Sequence, residues 1–231
     1  MDCQLWTRLI FFAPFSIAPA VMLEIFIPAF VTLFVTVDPV SIIPIFIGLT
    51  VGASKRQKVR MAIMGSLIAL VLLLIFGLIG ERLLDNFGIT LPAFRVAGGV
   101  LLFLIALEML FSRRNERKTA AAERIHDNYE PDDISVFPLA IPLLCGPGAI
   151  ASIMLLTADQ TGSLVGQGVV LGAGVAVMLI GLGLLLLAVR FDHFISQTVS
   201  SIITRILGML LAALSVQFIF DGIGLAFGLV E

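Results

Sequence analysis

Thr36-Val37-Asp38-Pro39-Val40-Ser41-Ile42-Ile43-Pro44 lies inside an apolar run, Leu23–Ile47, and puts a carboxylate near its middle. A run of that length suits a membrane-spanning helix, which needs about 20 apolar residues. A carboxylate at that depth costs roughly 2.5–3.5 kcal/mol on insertion scales, so an intramembrane Asp is a functional candidate by default. Asp followed by Pro is also a helix start, with Asp at the N-cap and Pro at the first helical position. The span therefore reads as two half-helices, one ending near Thr36 and the next starting at Pro39. Backbone groups freed at such a break are tolerated only where they face protein or a watery cavity. Two readings stay open. Asp38 binds a solute or a coupling ion, or it is a capped proline kink whose carboxylate accepts from backbone amides.

The rest of the chain is built for the same solvent. Hydrophobic residues make up 59% and charged residues 13% of its 231 positions, where soluble domains carry roughly 25% charged residues. Such a chain cannot cover its own surface with polar groups. A soluble enzyme, a disordered protein and a nucleic-acid binder are excluded, and the fold class is all-α and polytopic. Six apolar segments emerge: Leu23–Ile47, Val59–Leu84, Leu91–Phe111, Ile134–Ala158, Ser163–Val189 and Ser201–Gly228. Leu9–Val21 is apolar but short, and Pro14 and Pro19 interrupt it. A seventh span there is disfavoured. The alternative is an extension, residues 1–21, upstream of a protein that effectively starts at Met22.

Residues 112–133 form the long polar connection, basic at Arg113, Arg114, Arg117, Lys118 and Arg124 and then acidic at Asp127, Glu130, Asp132 and Asp133. It reads as a solvated cytoplasmic linker between two halves, 22–111 and 134–231. Orientation follows from Lys and Arg. Ten basic residues (Lys55, Arg56, Lys58, Arg60, the five of the linker and Arg190) fall on one side, against Arg8, Arg82 and Arg95 on the other. The basic side is expected in the cytoplasm, with both termini periplasmic in a cell inner membrane. Cysteines introduced as Asn86→Cys, Ala120→Cys and Gln160→Cys test this. Positions 86 and 160 are expected to label from the periplasmic side and 120 to stay protected; labelling of 120 from that side contradicts the topology.

The halves resemble each other. Arg95-Val-Ala-Gly98 and Arg205-Ile-Leu-Gly208 share R-x-x-G at an offset of 110, and Asp38-Pro39 and Gly146-Pro147 lie 108 apart. Each of the latter precedes an apolar stretch ending in Thr, at Thr50 and Thr157. Together with the linker, this points to a repeat. Three spans per half force opposite topologies, the inverted arrangement of alternating-access transporters. The first and fourth helices are then both broken at mid-membrane. Glycines leave backbone open at Gly146-Pro147-Gly148, and Pro147 fits a restarting helix. Two half-helix N-termini converging at the midplane suit a carboxylate. Asp38 beside them suits an ammonium, and a cavity offering both suits a zwitterion.

Asp38, Pro39, Ser41, Pro44, Gly146, Pro147, Gly148 and Gln217 are thus the candidate substrate-binding residues. Gln217 is judged deep enough on the sixth helix to line a cavity, with Asp221 four residues on along the same face. Arg95, Gly98, Arg205, Gly208 and Asp221 are candidate structural or gating residues, the two arginines close enough to helix ends to snorkel. Glu108 reads as solvated near a helix end, and Cys145 as a small packing residue. No His, Cys or carboxylate cluster has metal-ligand spacing, no HExxH, GxSxG or P-loop pattern occurs, and no cofactor or enzymatic activity is expected.

Asp38-Pro-Val-Ser41-Ile-Ile-Pro44-Ile-Phe46, Pro138-Leu-Ala-Ile-Pro142-Leu-Leu-Cys-Gly146-Pro147-Gly148-Ala-Ile150, and Arg205-Ile-Leu-Gly208-Met-Leu-Leu211 with Gln217-Phe218 and Asp221-Gly222 together resemble the MarC family, from about Met22 to Gly222. That family is also called the small neutral amino acid transporter (NAAT/SnatA) family. The resemblance implies a six-span bacterial-type inner-membrane protein related to LysE-like transporters, whose characterised members move glycine and alanine. The family name comes from a multiple-antibiotic-resistance locus and does not imply drug efflux. The reading is a secondary transporter of small neutral amino acids, importing with proton or sodium coupling or exporting, with the lipid bilayer as its surroundings and its oligomeric state open. The alternatives are efflux of another small metabolite or drug, and a non-transporting scaffold that docks partners through the linker.

Overall fold

A computed structural model describes residues 14–111, 135–191 and 197–229, and every element among them is helical. The polar linker, with the expectations attached to it, lies outside the described residues. In chain order the helices are α1 (Pro14–Val37), α2 (Pro39–Leu49), α3 (Lys55–Asn86), α4 (Leu91–Leu110), α5 (Ser135–Leu144), α6 (Pro147–Ala158), α7 (Leu164–Arg190) and α8 (Gln197–Ala226).

Both expected breaks are present. Only Asp38 separates α1 from α2, and it takes a left-handed backbone, φ 52° and ψ 63°. Pro39 lacks the N–H that would continue the α1 ladder, and its ring crowds the carbonyl four residues back. Aspartate is among the few side-chain-bearing residues that enter the left-handed region readily. α5 winds as a π-helix, and Cys145 N–H donates to Ala140 O at 2.9 Å in the same i→i+5 pattern. Pro138 and Pro142 each remove an amide donor from this helix, so the ordinary ladder has gaps there. Gly146 then caps α6, with Pro147 at its first position.

α2 and α6 have 11 and 12 residues, so each is about 16–18 Å long and crosses about half of a bilayer. Both end on a threonine hydroxyl turned back on its own helix. Thr50 Oγ1 donates to Phe46 O at 2.7 Å, and Thr157 Oγ1 to Ile153 O at 2.8 Å. Among the described residues, five segments are long and apolar enough to cross a membrane: Met22–Leu49, Lys55–Asn86, Leu91–Leu110, Leu164–Arg190 and Val199–Ala226. α5 and α6 in series supply a sixth. α1 begins earlier than the first apolar segment, at Pro14. Proline costs little at a helix start, where its missing N–H would be unpaired anyway.

The other boundaries are set by local caps. Ser54 and Gln57 form a capping box before α3, and the Thr90 and Ser163 hydroxyls accept from Ala93 N and Gly166 N before α4 and α7. Each such cap is worth about 1 kcal/mol.

The broken spans form the centre of the bundle. α2 is buried from Pro39 to Phe46 apart from half-buried Pro44, and α6 from Gly148 to Ala158 apart from half-buried Ile150. The long helices expose large apolar side chains instead, among them Leu67 and Leu78 on α3, Leu104 on α4, Leu179 on α7 and Met209 on α8. Faces of that size remain unpaired only in lipid or an interface.

Contacts between the halves are nearly reciprocal. α3 packs on α7 and α4 on α8; α1 on α7 is matched by α5 on α3, α2 on α7 by α6 on α3, and α2 on α8 by α6 on α4. The glycines of the R-x-x-G pair sit at such crossings. A Cβ at Gly98 would lie 2.7 Å from Leu155 Cδ1 on α6, and one at Gly208 2.8 Å from Met109 Cβ on α4. Small residues there let helix backbones approach closely.

Candidate functional site

The site grows from the α1–α2 break. Asp38 is fully buried, and its side chain makes no capping bond to the backbone. Instead Ser41, at the third position of α2, donates its hydroxyl to Asp38 Oδ2 at 2.5 Å. Ser41 Oγ also lies 2.7 Å from Thr204 Oγ1 on α8. Asp38 Oδ1 has no hydrogen-bond partner among the described residues. A carboxylate that capped the helix would spend its oxygens on amides. This one keeps an oxygen free at the centre of the bundle, where an unpaired polar atom is expensive.

The second break lies beside the first. α7 passes both at Gly181, where a Cβ would meet Pro39 Cβ at 3.5 Å and Leu144 Cδ2 at 4.0 Å. α2 also packs on α5, and α1 on α6. The two breaks differ in exposure. Asp38 is sealed, whereas Gly146 is half-buried and Pro147 exposed. The first turn of α6 leaves the Gly148 and Ala149 N–H groups without intrahelical acceptors. Gly148 itself is packed tightly, since a Cβ there would lie 2.5 Å from Ile105 Cδ1. It serves close approach of α4 to α6 as much as any ligand.

The remaining candidates separate from this centre. Gln217 is exposed and donates to Asp221 Oδ1 at 2.8 Å, so the pair shares a face as expected. Pro44 is half-buried inside α2, which continues through it. Arg205 is exposed on α8 next to Thr204. Arg95, the fifth residue of α4, pairs with Asp159, the residue that ends α6. Burial pushes the Asp159 carboxyl up from its ordinary value; the charge and hydrogen bond of Arg95 pull it down, and neighbouring Asp221 adds to the rise. Arg95 thus ties two elements together at the bundle end. Ion pairs with this much solvent contact are worth at most about 1 kcal/mol. Arg95→Gln is accordingly expected to lower thermal stability only slightly, measured by unfolding in detergent. A loss of several kcal/mol would show a stronger tie than this geometry carries.

Thr204 is the site residue that the sequence does not reveal. It is a single hydroxyl in an apolar helix, and its partner is 163 positions away. Among the described residues no group of His, Cys, Asp and Glu could hold a metal ion.

The chain has relatives across archaea and bacteria. A UPF0056 membrane protein of Methanocaldococcus jannaschii is 41% identical over 206 residues, 87% of this chain and 88% of its own length. One from Archaeoglobus fulgidus is 33% identical, covering 87% and 93%. UPF0056 membrane protein YhcE of Escherichia coli is 35% identical, covering 84% and 89%. No solved structure matches. Residues 23–227, which include both breaks and all eight candidate substrate-binding positions, match the family described as MarC family integral membrane protein, and the chain belongs to that family.

Proposed function

We propose that this protein is an inner-membrane secondary transporter of small neutral amino acids such as glycine and alanine. Its two halves are inverted repeats that alternate access to a site between the helix breaks. The observation that carries the reading is Asp38: fully buried, at a break in a membrane span, with one carboxylate oxygen unpartnered and no backbone cap to occupy it. A buried carboxylate of this kind suits the ammonium of a zwitterion. The α6 N-terminus, with its free N–H groups and positive dipole end, suits the carboxylate.

The repeat reading draws support from the reciprocal helix contacts, the matched lengths of α2 and α6, their shared proline starts, and the back-bonded Thr50 and Thr157. The buried neighbours of the two breaks, among them Val37, Val40, Ile42, Leu143 and Leu144, are apolar, which speaks against an open aqueous pore.

Uptake of labelled alanine or glycine into proteoliposomes tests the reading. Accumulation above protein-free vesicles, competed by small neutral amino acids and not by drugs, is the expected result. Flux of drugs alone would favour efflux of a different solute, and no flux of either kind would favour the scaffold.

A further inference from the structure

Four buried polar side chains run from the α1–α2 break toward one end of the bundle. Asp38 is followed by Ser41 at 2.5 Å, then by Thr204 at 2.7 Å from Ser41. Ser200 lies one helical turn before Thr204 on α8, on the same face. All four are at most 2% exposed, and Ser200 Oγ has no partner among the described residues. About 6 Å of helix axis separates Ser200 from Thr204, a gap one bridging water can close. The column leads away from mid-bundle toward the start of α8 at Gln197, the end that also holds the 51–54 turn after α2.

Hydroxyl chemistry gives this column a direction that reverses. Ser41 has one hydroxyl proton and gives it to Asp38 Oδ2. It must therefore accept from Thr204. The protonated carboxyl would instead donate to Ser41, and Ser41 to Thr204, with the heavy atoms unmoved. Ser41 both donates and accepts, and the Thr204 and Ser200 hydroxyls have the capacity to do the same, as a proton path requires.

We infer that the Ser41–Thr204–Ser200 column is the path by which Asp38 exchanges a proton with the side of the membrane that carries the 51–54 turn. One proton arrives from water at the Ser200 end. Thr204 receives a proton and passes its own to Ser41, and Ser41 passes its own to Asp38. The net change is one proton gained by the carboxylate, with every hydroxyl restored.

Among the described residues, no ion pair to Asp38 is present. The charged residues of the described helices packed on α2 are Arg190 on α7 and Arg205 and Asp221 on α8, and none forms an ion pair with Asp38. The inference rests on Asp38 as the functional carboxylate of the proposed transporter. Thr204 and Ser200 are positioning residues in it.

The test is time-resolved infrared difference spectroscopy on the full chain in oriented proteoliposomes, after a pH jump on the side of the 51–54 turn. The carboxyl band that Asp38→Asn removes is the readout. In Thr204→Val, which keeps the shape of Thr without the hydroxyl, protonation of Asp38 is expected to slow at least about tenfold; each tenfold corresponds to about 1.4 kcal/mol of barrier. Thr204→Ser is expected to restore the wild-type rate, which a purely steric role would not do. An unchanged rate in Thr204→Val, or no band that Asp38→Asn removes, overturns the inference. Because the band is read without substrate, absent amino-acid flux with a slowed band in Thr204→Val would reject the transported solute and leave the proton path standing.

Discussion

Asp38→Asn, reconstituted as folded protein, is expected to carry alanine or glycine no faster than protein-free vesicles. Folding should survive, because Asn enters the left-handed region as readily as Asp and its side-chain oxygen can still accept from Ser41. What disappears is the negative charge. Truncating one partner of a buried, hydrogen-bonded charge pair costs about 2–5 kcal/mol, roughly 30-fold to several-thousand-fold in affinity. A capping role predicts the opposite result, because Asn caps helices about as well as Asp. The structure already weakens that alternative, since the Asp38 side chain makes no capping bond. Equal flux from wild type and variant would return Asp38 to a structural role.

At Gly181 the expected effect is graded by size. The methyl of Gly181→Ala meets Pro39 Cβ at 3.5 Å and Leu144 Cδ2 at 4.0 Å, ordinary contact distances. Flux should stay near wild type. Gly181→Leu drives three further carbons toward both helix breaks at once. Overpacking of this kind costs about 1–3 kcal/mol even when the fold adapts. In the proposed transporter it also wedges the place between the two breaks, so transport is expected to fall more than tenfold while the protein remains folded. Uptake and thermal unfolding measured on the same preparations separate the two effects. Wild-type flux in Gly181→Leu would mean that the breaks do not work as one unit.

The spans were legible because the membrane imposes a crude rule on composition. The 59–84 segment needed only extension to Lys55 and Asn86, where Ser54 and Gln57 supply a cap. The breaks were legible because Asp-Pro and Gly-Pro-Gly have local backbone consequences. The π-helical winding of α5 was not, since two prolines forbid an ordinary ladder without stating what replaces it.

Gln217 shows a different limit. Its position along α8 could be judged by counting residues, but its direction around the helix could not. A helix that is apolar on every side carries no periodic signal for its packed face. Thr204 escaped for the same reason, and because a contact between positions 41 and 204 exists only once the bundle has closed.

The most direct test of the account is ligand-dependent thermal stability of the purified protein, wild type beside Asp38→Asn, with alanine, glycine and a set of common drugs. Ligand that binds only the folded state raises stability by mass action, by about 2.7 kcal/mol at a hundred times the dissociation constant. The account predicts a concentration-dependent rise with alanine and glycine for the wild type and none for the variant. Equal rises in both proteins, or a rise with drugs and none with any small neutral amino acid, would contradict it.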